Sequence, residues 1–148
     1  MKKRFADRWP FILAPTLFVI LDAGLTLLGQ PHVYWIDHTV TNEMAPMFNT
    51  ALKASPWAFV AVIFLWTCGI AVLVFALPRI LALVVSVTFI TGHAEAALGW
   101  LFYRFDFSYW THYWYHPITA VIIVAVCAYA FRNGLRKKVN PKSQQDSC

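Results

Sequence analysis

Four stretches of the chain are almost continuously apolar: Pro10–Leu28, Trp57–Leu77, Ile80–Phe102 and Pro117–Phe131. A helix needs about 20 such residues to cross the hydrocarbon core of a bilayer, so the pattern predicts four spanning helices, the last one short. Between the first two runs lies a polar segment, Gln30–Pro56, in which Met44, Met47, Phe48 and Ala51 recur at offsets of three, four and seven. That spacing places one apolar stripe on a short helix. Thr41 or Asn42 is its expected N-cap, with Glu43 in a first turn that favours acids. The helix either lies in the interface of the outer leaflet or folds over the bundle as a lid. The expected fold is all-α: an integral membrane four-helix bundle with a short interfacial helix between spans one and two. It forms one membrane domain over 1–135, followed by a basic, then polar tail over 136–148 that is expected to be disordered.

Composition agrees with this picture and removes competing ones. The chain is 59% hydrophobic and only 13% charged, against about 25% charged in soluble domains. A soluble enzyme, a disordered chain and a nucleic-acid-binding domain are thereby excluded, although the net charge is +5. The basic residues cluster instead by side. Lys2, Lys3, Arg4 and Arg8 precede the first run, Arg79 sits between the second and third, and Arg132, Arg136, Lys137, Lys138 and Lys142 follow the fourth, leaving only Lys53 and Arg104 opposite. This asymmetry predicts an inner-membrane protein with both termini cytoplasmic. The first run is too long for a signal peptide, lacks a small-residue cleavage site and contains Asp22, and it is read as a retained span. Cys68, Cys127 and Cys148 have neither metal-ligand spacing nor the pattern of a disulfide framework.

Ionisable residues at membrane depth are expensive and usually functional. Asp22 lies twelve residues beyond Pro10, and His93 thirteen beyond Ile80. Both are therefore roughly 18–20 Å from the cytoplasmic side, with Glu95 about 3 Å further out. At 100° per residue, Thr88, Thr91, Gly92, Glu95 and Gly99 share one small, polar face suited to close helix packing, while His93 points more than about 120° away from Glu95. Asp22 and Thr26 share a face of span one. These residues (Asp22, Thr26, Thr91, His93 and Glu95) form a candidate intramembrane polar site. In it, Asp22 and Glu95 are expected to approach one another, with a proton or cation between them or hydrogen bonds neutralising each.

A second candidate site lies outside the spans: His32, Asp37, His38, Glu43, His112 and His116. These are the residue types of zinc or copper sites, but no signature spacing accompanies them. Pro117 disfavours helix at His116, which is expected next to a cap. No metal or cofactor is therefore expected, and no catalytic nucleophile stands in a recognisable setting. The stretch Tyr103–His116 is dense in Tyr, Trp and Phe, as in the aromatic belts that anchor spans at the bilayer surface.

Asp22-Ala-Gly-Leu-Thr26, followed by Asn42-Glu43-Met44-Ala45-Pro46 and a further span, resembles a family of small prokaryotic membrane domains of unknown function. In that family a D-x-x-x-T first span leads to an E-x-N-P type loop; here alanine stands where the family has asparagine before the proline. The resemblance covers Phe18–Leu77 and implies no activity. It implies that Asp22, Thr26, Glu43 and Pro46 form one structural unit, with the loop helix against the outer end of span one.

The functional expectation is a structural or accessory membrane subunit, held by polar contacts of Asp22, Thr26, Thr91 and Glu95. Its partners would be the lipid bilayer and another membrane protein or a second copy of the chain. The alternative is a small proton- or cation-handling protein in which Asp22 and Glu95 exchange the ion and His93 relays it.

Overall fold

The computed structural model describes residues 8–105 and 109–139, with side chains for 8–105 and 114–132. Lys2, Lys3, Arg4, Asp106, the His112 side chain and 140–148 lie outside the described residues. The elements are α1 (Trp9–Leu28), a 3-10 turn (His32–Trp35), α2 (Pro46–Ala54), α3 (Pro56–Ala76), α4 (Arg79–Tyr103) and α5 (Tyr109–Val139), with no strand among the described residues. Four helices are long and apolar enough to cross a membrane: α1, α3, α4 and the Trp114–Arg132 part of α5.

Local chemistry sets the corners. Proline occupies the first turn of α1, α2 and α3, where its missing N–H breaks no helical bond. Ser55 ends α2 and caps α3, accepting a bond from the Ala58 N–H at 3.0 Å. Leu77 and Pro78 are extended and turn the chain from α3 into α4.

α1 and α4 form the principal pair, and α3 and α5 each touch both of them. The end carrying the α3–α4 turn is closed by Phe11, Phe18, Val19, Ile70, Val74, Ala82, Ile90, Ala94, Val126 and Ala130. There the Arg8 guanidinium donates to the carbonyls of Val74, Phe75 and Leu77, placing positive charge on the carbonyl end of α3. At the opposite, loop end, Tyr34, Ala51, Leu52 and Phe59 make a second core against Ala23 and Leu27 of α1. Tyr34 is completely buried and donates its hydroxyl to the Leu52 carbonyl at 3.1 Å.

Several expectations are corrected. α2 begins at Pro46 with Ala45 as its cap; Thr41 instead donates to Asn49 Oδ1 at 2.8 Å, and Glu43 accepts from the Ala45 N–H at 2.8 Å. The buried face of α2 is Ala51 and Leu52, while Met44 is 96% exposed. α2 packs on the loop end of α3, and Ala51 and Leu52 join Tyr34 and Phe59 in the second core. α5 runs through Pro117 and on to Val139, so His116 is inside a helix, most of the aromatic stretch is helical, and 136–139 continue the helix instead of opening the tail. Prolines are tolerated inside spanning helices; two residues on, the Thr119 hydroxyl donates to the Tyr115 carbonyl at 3.0 Å.

Candidate intramembrane site

The buried ridge of α1 is Phe11, Pro15, Phe18, Val19 and Thr26. Asp22 continues it one turn before Thr26, and the residue facing Asp22 comes from α4. That residue is His93. Its Nδ1 lies 2.8 Å from Asp22 Oδ2, with both side chains nearly buried. On the other side of the ring, Trp66 Nε1–H of α3 donates to His93 Nε2 at 3.3 Å. An imidazole nitrogen that accepts from an N–H carries no proton, so the network assigns the proton to Nδ1, which donates to Asp22. Asp22, His93 and Trp66 thus link α1, α4 and α3 in one hydrogen-bonded chain. The second carboxylate oxygen, Asp22 Oδ1, is buried with no hydrogen-bond partner among the described residues, and so is the Tyr115 hydroxyl of α5.

The pair stands on the wall of a chamber of about 700 Å³ at the loop end, bounded by α1, the segment before α2, α2, α3 and α4. Asp22, Thr26, Glu43, His93, Glu95 and Arg104 supply its polar lining. The segment before α2 is tied to α1 by Gln30, which donates to the Thr26 carbonyl and accepts from the Asn42 N–H, each at 2.9 Å. Arg104 donates to the Gly29 carbonyl at 2.6 Å. Burial pushes the Glu43 carboxyl up from its ordinary range; the bond from Ala45 opposes this and the charge of Asp22 adds to it.

The expected approach of Asp22 to Glu95 is corrected. Glu95 is 58% exposed, with Oε1 3.5 Å from His116 Nδ1 of α5. The helix seam on α4 runs through Ala82, Ser86, Ile90, Ala94 and Ala97, not through the small polar face. Thr88, Gly92, Glu95 and Gly99 line the chamber, Thr91 is exposed, and a Cβ built on Gly92 or Gly99 would meet nothing within 4 Å. Alanines and serine at four-residue spacing were the signal for the true seam.

The outer candidates do not converge. Asp37 accepts from the Thr39 hydroxyl and N–H, which hold its carboxyl below the usual range. His38 sits edge-on against Tyr34 at 5.1 Å, and His32 is exposed. Of the described members of this set only Glu43 lines the chamber, and among the described residues no three His, Cys, Asp or Glu gather as metal ligands. Gln30, Trp66 and Arg104 were not foreseen. Nothing in their spacing marks them.

Four long apolar helices, three of which line the chamber, define a multi-pass α-helical membrane protein. No family model, curated protein or solved structure matches the chain. The resemblance seen in Asp22–Thr26 and Glu43–Pro46 gains no support from these comparisons, and the site is read from its own residues.

Proposed function

We propose that this is a small inner-membrane protein, with both termini cytoplasmic, that binds and exchanges a proton or cation at Asp22–His93. The observation that carries the reading is the unpaired Asp22 Oδ1 beside the chamber. A carboxylate kept only as a structural contact would have both oxygens satisfied, because a buried unpaired acceptor costs about 1–3 kcal/mol. Here one oxygen orients His93 and the other has no donor among the described residues. The orientation rests on the basic residues Arg8, Arg79 and Arg132 at one end against Lys53 and Arg104 at the other. Relative to the pair expected from sequence, His93 replaces Glu95 as the partner of Asp22.

Difference infrared spectroscopy in nanodiscs tests this. A carboxyl band that responds to pH and added cation should vanish in Asp22→Asn and persist in Glu95→Gln. A band indifferent to both pH and added cation, or unchanged in Asp22→Asn, overturns the proposal. The accessory-subunit reading retains one supporting observation, the unfilled small-residue face at Gly92 and Gly99. It predicts instead a co-purifying membrane partner and no cation response.

A further inference from the structure

Phe48, Phe59 and Phe89 line one side of the chamber, and Trp66, which is not part of the lining, joins Phe48 to Phe89. Phe59 of α3 meets Phe48 of α2 edge-on at 6.1 Å, Phe48 meets Trp66 at 6.0 Å, Trp66 meets Phe89 of α4 at 5.6 Å, and Phe89 stacks on His93 at 6.2 Å. Trp100 and Tyr103 add further rings to the lining. The charged lining comprises Asp22, Glu43 and Glu95 against the single guanidinium of Arg104, with the His93 imidazole neutral in the tautomer assigned above. The two features are independent of each other, and both favour positive charge: carboxylates by Coulomb attraction, aromatic faces by their quadrupole.

The same lining disfavours the alternatives. An anion would be repelled by the carboxylates of Asp22, Glu43 and Glu95 in the lining. A small metal ion must exchange its water for a shell of protein oxygens or nitrogens, and no such set of three gathers among the described residues. A neutral apolar molecule leaves the carboxylates unanswered. A fully substituted ammonium is weakly hydrated and has no N–H to satisfy, and its apolar substituents would face the rings. The volume, about 700 Å³, falls within the range of small-molecule pockets.

The structure assigns this chamber, we infer, to an organic ammonium with an apolar body, its cationic head at Asp22 and its body against the Phe48–Phe89 wall. The inference rests on the cation-exchange reading above and names its ligand class.

The test uses the full chain in nanodiscs, with empty nanodiscs as control, and calorimetric titration of phenyltrimethylammonium. Its neutral isostere tert-butylbenzene and potassium chloride are run beside it. Saturable binding of the ammonium is expected, at least about tenfold tighter than the isostere and not displaced by potassium at equal concentration. Asp22→Asn should weaken it about tenfold, Glu95→Gln about threefold and Phe48→Leu several-fold. Should Asp22→Asn fail to fold, the exposed Glu95→Gln and the aromatic variant decide. Equal binding of the isostere overturns the inference by making the chamber merely apolar. A potassium- or proton-dependent carboxyl band that the ammonium neither competes with nor shifts overturns the inference and leaves the exchange reading standing. No cation response of any kind overturns both.

Discussion

At the turn end, α1 and α4 close over Phe11, Val19, Val74, Ala82 and Ile90, all without solvent exposure, and the adjoining carbonyls are met by Arg8. At the loop end the same two helices face a chamber whose wall carries Asp22, His93 and Glu95. The helices are alike in length and apolarity, and the difference lies in what fills the space beside them. At the turn end large apolar side chains interdigitate, with Ser86 Oγ and Arg79 Nε and Nη2 buried among them without a hydrogen-bond partner among the described residues. Where α4 presents Gly92 and Gly99, nothing reaches into the gap, and ionisable groups are placed there without being crushed against a neighbour. Stability is concentrated at one end of the bundle and chemistry at the other.

That contrast can be broken by substitution. Removing a ring from the closed end should have the largest effect: Phe11→Ala is expected to cost about 3–5 kcal/mol, read as lowered thermal stability in detergent. Phe48→Ala, on the half-open chamber wall, should cost clearly less, and equal losses would erase the distinction. The seam between the ends is probed at Gly29. A Cβ there would lie 2.5 Å from the Trp100 ring, so Gly29→Ala should destabilise by about 1–3 kcal/mol through displacement of Trp100. Gly99→Ala, one residue before that tryptophan but facing open space, should be neutral or stabilising by up to about 1 kcal/mol. The two alanines are thus expected to act with opposite sign.

The smallest effect is a pH dependence. Burial raises the folded-state value of Glu43 above its ordinary one, with a contribution from Asp22. Such a carboxyl contributes most to stability below its unfolded value and loses that contribution as pH rises through its raised folded value. Glu43→Gln retains an acceptor for the Ala45 N–H and removes the charge. It should raise the melting temperature slightly at pH 7 and leave it unchanged below about pH 4, where the native carboxyl is protonated in both states. A gain that persists at low pH would trace to something other than the charge.

The spans were legible in the chain to within a residue or two: Pro10–Leu28 became Trp9–Leu28, and Ile80–Phe102 became Arg79–Tyr103. The start of the last helix was not. Pro117 read locally as a beginning, but the helix continues through it, as spanning helices allow. Asp22, His93 and Glu95 were recognisable as residues that do not belong in hydrocarbon, and helical phase correctly separated His93 from Glu95. It misled at the next step, because the small polar face of α4 looked like the packing face. The larger apolar gain lay with Ala82, Ile90, Ala94 and Ala97, which brought His93 to Asp22.

Hydrophobicity and run length act residue by residue, and a stretch of some twenty apolar side chains forms a spanning helix whatever its neighbours do. The all-helical architecture, the four spans and the presence of buried ionisable groups were therefore written into the chain. Which carboxylate meets which imidazole depends on how each helix is rotated about its axis and on which side chains fit between it and three others. That rotation is chosen by the sum of many weak packing contacts across the bundle. The Asp22–His93–Trp66 chain, the exposure of Glu95 and the chamber between α2 and α4 exist only once that choice has been made.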